Sequence, residues 1–254
     1  MADPRVRVVR EPENRGPGAS RNRGISVAQA PLVCTLDSDD LWLPHYLETM
    51  SSAVESNSAT IAFTDAWVLD ETTGRVRKTS AMAYQDPPQP LPGMDTFLLE
   101  LLQRNFIYNS VTVRREALVA VGGYDERLRI GEDWELWLRL AAAGFRFVRV
   151  PEWLAVYRKH ADSLTSDSER LLAAANEVYR IVIEEWSASD ELRDLALRLR
   201  DARELRVRRR AKAAALLGPL VALRRRLRES TGWHREPPRE IADLLLAVAA
   251  TRPG

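Results

Sequence analysis

Three carboxylates, Asp37, Asp39 and Asp40, end the stretch that begins at Pro31. The apolar run Leu32 to Leu36 before them has the length and the β-formers of a buried strand. That strand sets the carboxylates at the carboxyl edge of a sheet, where open α/β sheets bind ligands. Charges crowded at such a low-dielectric boundary are costly, and a divalent cation shared with substrate phosphates would offset the cost. A solvated acidic loop is the alternative. A second pair, Glu132 and Asp133, falls in the first turn of a predicted helix from Glu132 to Ala143, where the helix dipole favours ionised carboxylates. Simple capping is the plainer account of that pair. Ser20, Arg21 and Asn22 open another predicted helix, Ala19 to Ala30, after Gly16-Pro17-Gly18. Free N–H groups and a guanidinium there suit a diphosphate, and a surface loop with a helix cap is the alternative. His160 stands among Arg158, Lys159 and Asp162 at the end of a strand, either exposed or part of the same site.

The elements that must position these groups alternate between helix and strand. Arg5 to Arg10 alternates as a half-exposed strand does. Pro44 to Ser56 reads as a helix with proline in its first turn, and Trp42 as an aromatic anchor beneath the acidic loop. Thr60 to Leu69 and Arg75 to Ser80 make a hairpin around a turn at 70–74. The proline-rich stretch 87–93 breaks regular structure and begins a mobile connection. Asp95 caps a helix running to about Arg104; Tyr108 to Arg114 is a strand; Arg115 to Val121 is a short helix ending at Gly122-Gly123. Gly144 stops the acidic helix, and Phe145 to Val150 and Trp153 to Tyr157 are two strands around Pro151. Beyond them, Ser166 to Trp186, Ser189 to Leu217, Leu220 to Glu229 and Arg239 to Ala250 read as helices, with no internal repeat.

Leu36-Asp37-Ser38-Asp39-Asp40-Leu41-Trp42-Leu43-Pro44 resembles the Asp-x-Asp segment of inverting family 2 glycosyltransferases of the GT-A fold. The stretch 14–24 resembles that family's Gly-rich loop and Ala-x-Arg-Asn-x-Gly helix. Residues 122–126 with 131–139 resemble its acceptor-side Glu-Asp segment, and Tyr157 to His160, with Ser163, its closing His-x-x-Ser element. The four motifs come in the family's order over residues 5 to 165. The resemblance implies a mixed α/β sheet flanked by helices, a nucleotide-diphosphate sugar donor, Mg²⁺ or Mn²⁺, and inversion at the anomeric carbon. It implies Asp39 as metal ligand and Asp37 on ribose or metal, with Asp40 supporting the loop. Asp133 becomes the base that takes the acceptor's proton, Glu132 the residue that positions the base or the acceptor, and Ser20, Arg21, Asn22 and His160 the groups near the diphosphate. A glycan, lipid-linked or other hydroxyl compound is the acceptor. The family also carries a strand-helix-strand unit ahead of the Gly-rich loop. Its absence here leads to the expectation of a domain, residues 1–165, that is N-terminally incomplete by about 50 to 60 residues, with unpaired strand edges and low stability or activity.

Composition narrows the alternatives. At 254 residues, 45% hydrophobic and 29% charged, the chain suits a globular domain with an appendage. No apolar run reaches the roughly 20 residues of a membrane span, and the N-terminus lacks a signal peptide's apolar core, so the expected location is cytoplasmic. Cys34, the single cysteine, reads as a core thiol. Net charge is +1, yet Arg198 to Arg228 holds twelve Lys or Arg against Asp201 and Glu204. The extension 166–254 is therefore read as a basic helical unit that could meet an anionic membrane or simply pack as a solvated helix. No zinc-finger spacing or RNA-binding signature points to nucleic acid. A degenerate transferase fold acting as a binding module is the competing reading. The Asp-x-Asp of dehalogenase-type phosphatases fits poorly, because Leu41 stands where that family has Thr or Val.

Overall fold

Ile61–Asp70 is the strand on which the sheet is built (β3), because its side chains are buried on both faces. Ile61 and Phe63 enter the larger hydrophobic core, and Ala62 between them enters a second one with Tyr46, Met50 and Val54. The alternation follows from the period-2 geometry of a strand. The computed structural model describes residues 3–78, 95–160, 168–186 and 189–209, with short pieces at 233–234, 239 and 241–243.

In chain order the elements are α1 (Pro17–Val27), β1 (Leu32–Cys34), β2 (Leu41–Trp42), α2 (Tyr46–Ser56), β3, β4 (Arg75–Lys78), α3 (Thr96–Gln103), β5 (Val111–Arg114), α4 (Arg115–Ala120), α5 (Glu132–Ala142), β6 (Phe147–Lys159), α6 (Ser168–Glu184) and β7 (Trp233–His234). Residues 190–209 are also helical. The strand path runs β1-β5-β3-β4-β7, and β6 lies along the other side of β3 and carries β2. The β3–β6 pairing is parallel, and the remaining pairings are antiparallel. One face is covered by α3, α5, α6 and 190–209, through Leu101, Trp137, Tyr179 and Ala196, and the other by α2. Burying a side chain such as Trp137 contributes roughly 3 kcal/mol before entropy is counted. The mixed sheet flanked by helices meets the fold-class expectation, as does the helical region after residue 165. The extension also joins the sheet, since β7 pairs with β4 and Ile241 packs with Leu43, Leu69 and Val76.

Three local expectations are corrected. Residues 5–10 form no strand: Val6, Val8 and Val9 are exposed, and no described strand lies beside them to take their hydrogen bonds. β1 is only three residues long and half-buried at an edge of the sheet, so Cys34 is not a core thiol; its Sγ lies 3.1 Å from Thr112 Oγ1 and partial burial raises its pKa. Pro151 does not divide two strands. Thr64 pairs with Val150 and Asp65 with Trp153, so Pro151 and Glu152 sit in a bulge of one continuous strand, where a missing N–H costs nothing. The stretch 87–93, Ser163 and the helix expected at 220–229 lie outside the described residues.

Candidate active site

Asp37 and Glu132 reach the same arginine. Arg21, in the second turn of α1, donates Nη2 to Asp37 Oδ1 at 2.6 Å and Nη1 to Glu132 Oε1 at 2.5 Å. Only 14% of its side chain is exposed. The acidic loop and the acidic helix start, far apart in sequence, are therefore joined across one guanidinium, whose planar fork suits two carboxylates at once.

The three loop aspartates differ in environment. Asp37 also accepts from Asn109 Nδ2 at 3.2 Å. Asp40 is 6% exposed and accepts from the Tyr108 hydroxyl and from the Arg158 N–H at 3.1 Å. Burial pushes its pKa up to about 7, with those two donors opposing and Asp39 and Asp37 adding to the rise. Asp40 is thus buried within the loop and held by two donors. The Asp39 carboxylate is partly exposed, as that of Asp37 is: His160 Nε2 lies 3.1 Å from its Oδ2, while the Arg158 guanidinium holds its main-chain oxygen. His160 is thus placed against the acidic loop.

At the other side of Arg21, Gly131 in the left-handed region (φ 84°) turns the chain into α5. Glu132 is buried against Arg21. Asp133 is half-buried; Oδ1 accepts from the Trp134 N–H at 2.7 Å and Oδ2 from Asn105 Nδ2 at 3.2 Å. Burial, and then the Glu132 charge, push its pKa up to about 6, while Arg21 and the two hydrogen bonds pull it back. A helix dipole alone would have lowered it, so desolvation outweighs the helix start here.

The Gly-rich segment is bound internally more than the sequence suggested. Asn22 Nδ2 donates to the Tyr124 carbonyl at 2.9 Å and to Glu126 Oε1 at 3.0 Å, and Asn22 Oδ1 accepts from the Tyr124 N–H at 2.8 Å. Arg15 is paired with Glu126. Asn22 therefore ties α1 to the loop before α5. Gly123 allows this approach, because a Cβ there would overlap the Asn22 amide oxygen. Ser20 is exposed and turns its hydroxyl to the Gly16 carbonyl at 3.2 Å. Ser20, Arg21, Leu36 and Asp37 line an open groove of about 560 Å³ between α1 and β1. Sequence reasoning missed Asn105, Tyr108 and Asn109, which lay in or beside a predicted strand; Asn flanking an aromatic run was the only local signal.

Among the described residues no three His, Cys, Asp or Glu side chains converge on one point as a cage. A cation held by one or two carboxylates and otherwise by substrate phosphates, as Mg²⁺ commonly is, needs no such cage. Asp37 and Asp39 are the partly exposed carboxylates of the loop that could hold one.

A mixed sheet with helices on both faces, and with two acidic clusters meeting at its edge, is an arrangement of the GT-A class. The profile described as "Glycosyltransferase like family 2" matches residues 6–190, and the chain belongs to that family. It is 32% identical to the succinoglycan biosynthesis protein ExoO of Rhizobium meliloti (strain 1021) over 168 residues, 65% of this chain and 48% of that one. It is also 32% identical to ExoU of the same organism over 152 residues, 56% of this chain and 43% of that one. The chain spans about half the length of these curated relatives. S. aureus TarS 1–349 in complex with UDP-GlcNAc shares the fold with a TM-score of 0.51 at 16% identity, over 72% of this chain and 51% of that one.

Proposed function

We propose that the chain transfers a sugar from a nucleotide-diphosphate donor to an acceptor hydroxyl with inversion, in the assembly of a cell-surface polysaccharide. The juxtaposition of Asp37 and Glu132 on Arg21 carries this reading, because it brings the donor side and the acceptor side together. The names of the succinoglycan relatives support the polysaccharide acceptor. The groove beside Ser20 and Arg21 receives the diphosphate, which competes with Asp37 for the guanidinium. Asp39, with Asp37, would hold Mg²⁺ or Mn²⁺, which when bound offsets charge on the departing nucleotide. His160 steadies the Asp39 carboxylate.

Asp133 accepts the proton of the attacking hydroxyl as the new bond forms at the anomeric carbon and the bond to the diphosphate breaks on the opposite face. Its raised pKa suits this task, since a base titrating near 6 is mostly ionised at neutral pH yet holds a proton better than an ordinary aspartate. Glu132 acts by anchoring Arg21. Incubation with Mn²⁺ and a panel of nucleotide sugars, without added acceptor, is expected to give slow donor hydrolysis that Asp39→Ala abolishes. Neither hydrolysis nor nucleotide binding with any donor would favour a binding module instead.

A further inference from the structure

The connector 104–110, between α3 and β5, donates to three different site carboxylates. Asn105 Nδ2 reaches Asp133 Oδ2 at 3.2 Å, the Tyr108 hydroxyl reaches Asp40, and Asn109 Nδ2 reaches Asp37 Oδ1 at 3.2 Å. The same segment takes the Trp42 indole N–H on Ser110 at 3.2 Å and the Thr35 hydroxyl on the Asn109 carbonyl at 2.5 Å. It meets both acidic clusters, which Arg21 also joins.

The Asn105 amide has one sensible orientation. Its Oδ1 accepts from the Ile107 N–H at 3.2 Å, which leaves Nδ2 for Asp133; the flipped amide would set oxygen against a carboxylate. We propose that Asn105 is a positioning residue for Asp133: it fixes the Oδ2 side of the carboxylate and favours its charged form without adding charge to the site. The inference rests on the reading of Asp133 as the base. Other groups facing Asp133 are Glu132 on its own helix, Arg21 on α1 and Tyr124 in the loop before α5. Arg21 alone among these favours ionisation, and it is shared between Asp37 and Glu132. Besides the Trp134 N–H on Oδ1, Asn105 supplies the side-chain donor to Asp133.

Two substitutions separate this role from a local structural one. Asn105→Asp keeps an acceptor for the Ile107 N–H but replaces the donor with a carboxylate, whereas Asn105→Ala removes both contacts. The Asp133 carboxyl is followed by ¹³C NMR in the full chain with labelled aspartate, its resonance identified by its loss in Asp133→Asn. In Asn105→Asp the midpoint of the Asp133 titration should rise by on the order of one pH unit or more. The acid limb of turnover should rise with it while the donor KM stays within about twofold. Asn105→Ala should move the midpoint the same way by less. Asn105→Asp would raise the midpoint by charge alone, so the neutral variant decides: a merely structural role predicts an unmoved midpoint in Asn105→Ala, and that result in the folded variant overturns the proposal even where turnover is too slow to measure. If Asp133→Asn is inactive and the midpoint is unmoved, the Asn105 inference alone falls. If Asp133→Asn turns over like the wild type, the reading of Asp133 falls and this one with it.

Discussion

Arg21 and Glu132 are 111 positions apart in sequence and 2.5 Å apart in space, both largely buried. The guanidinium also neutralises Asp37, so its removal strands two carboxylates at once. Arg21→Ala is expected to cost about 3 kcal/mol or more in chemical denaturation, the usual result of breaking a buried pair from one side. Arg21→Lys should recover little of it, because an ammonium cannot make the same two-armed contact.

Asp39→Ala should leave the fold intact, since its carboxylate is accessible and the Arg158 contact is to its main chain. Nucleotide-diphosphate binding in Mn²⁺, measured by calorimetry, should fall by more than the roughly 10 to 100-fold typical of losing an outer-sphere partner. Unchanged affinity would remove Asp39 from the metal site.

Asp133→Asn is expected to lower turnover on the order of 10² to 10⁴-fold with donor binding nearly unchanged. In the wild type, turnover should climb with pH through about 6, because only the ionised carboxylate accepts a proton and burial beside Glu132 holds its pKa above the usual range. A pH profile flat from 5 to 8 in a reaction limited by chemistry would place the base elsewhere.

Gly123→Ala is a test of assembly rather than chemistry. The φ of +73° and the Asn22 amide against the Cα leave no room for a methyl group. The strain of a left-handed non-glycine residue is about 1 to 2 kcal/mol, to which loss of the Asn22–Tyr124 contacts adds. A melting temperature within about 1 °C of wild type would show that this loop relaxes freely.

The basic stretch 198–228 yields a separate expectation. Full-length chain should cosediment with anionic vesicles at low salt and dissociate as salt rises, with each cation near the surface contributing at most roughly 1 kcal/mol. Of its cations, Arg198, Arg206, Arg208 and Arg209 are exposed on the described helix. No binding at low salt refutes the contact.

Features decided by near neighbours were legible in the sequence. Asp95 caps its helix by accepting from the Phe97 N–H at 2.8 Å, and Gly144 ends α5 in the left-handed region, both as their residue types dictate. The acidic loop and the Glu132–Asp133 helix start were legible because each is a short run of like residues after a recognisable element. What joins them was not. Arg21 could be named as a cation but not assigned to Asp37 and Glu132, and nothing around Asn105 in sequence points to Asp133. Residues 5–10 show the converse error, since an alternating pattern describes a strand's faces but supplies no partner for its backbone. Pro151 misled because proline breaks a strand only where its N–H is needed, and the bulge at Asp65 removes that need.

The long sequence separations of the site contacts also bear on the order of folding. Asp40 and Tyr108 are 68 positions apart, Arg21 and Glu132 111, and Asp39 and His160 121. Each such closure must meet the entropy of a long loop before any contact rewards it. No short fragment of this chain can hold the carboxylates together, and a refolding molecule should regain helical circular dichroism before it regains affinity for a nucleotide. Ligand binding would then be a late clock for the whole domain, readable by stopped-flow alongside the earlier burial of Trp137.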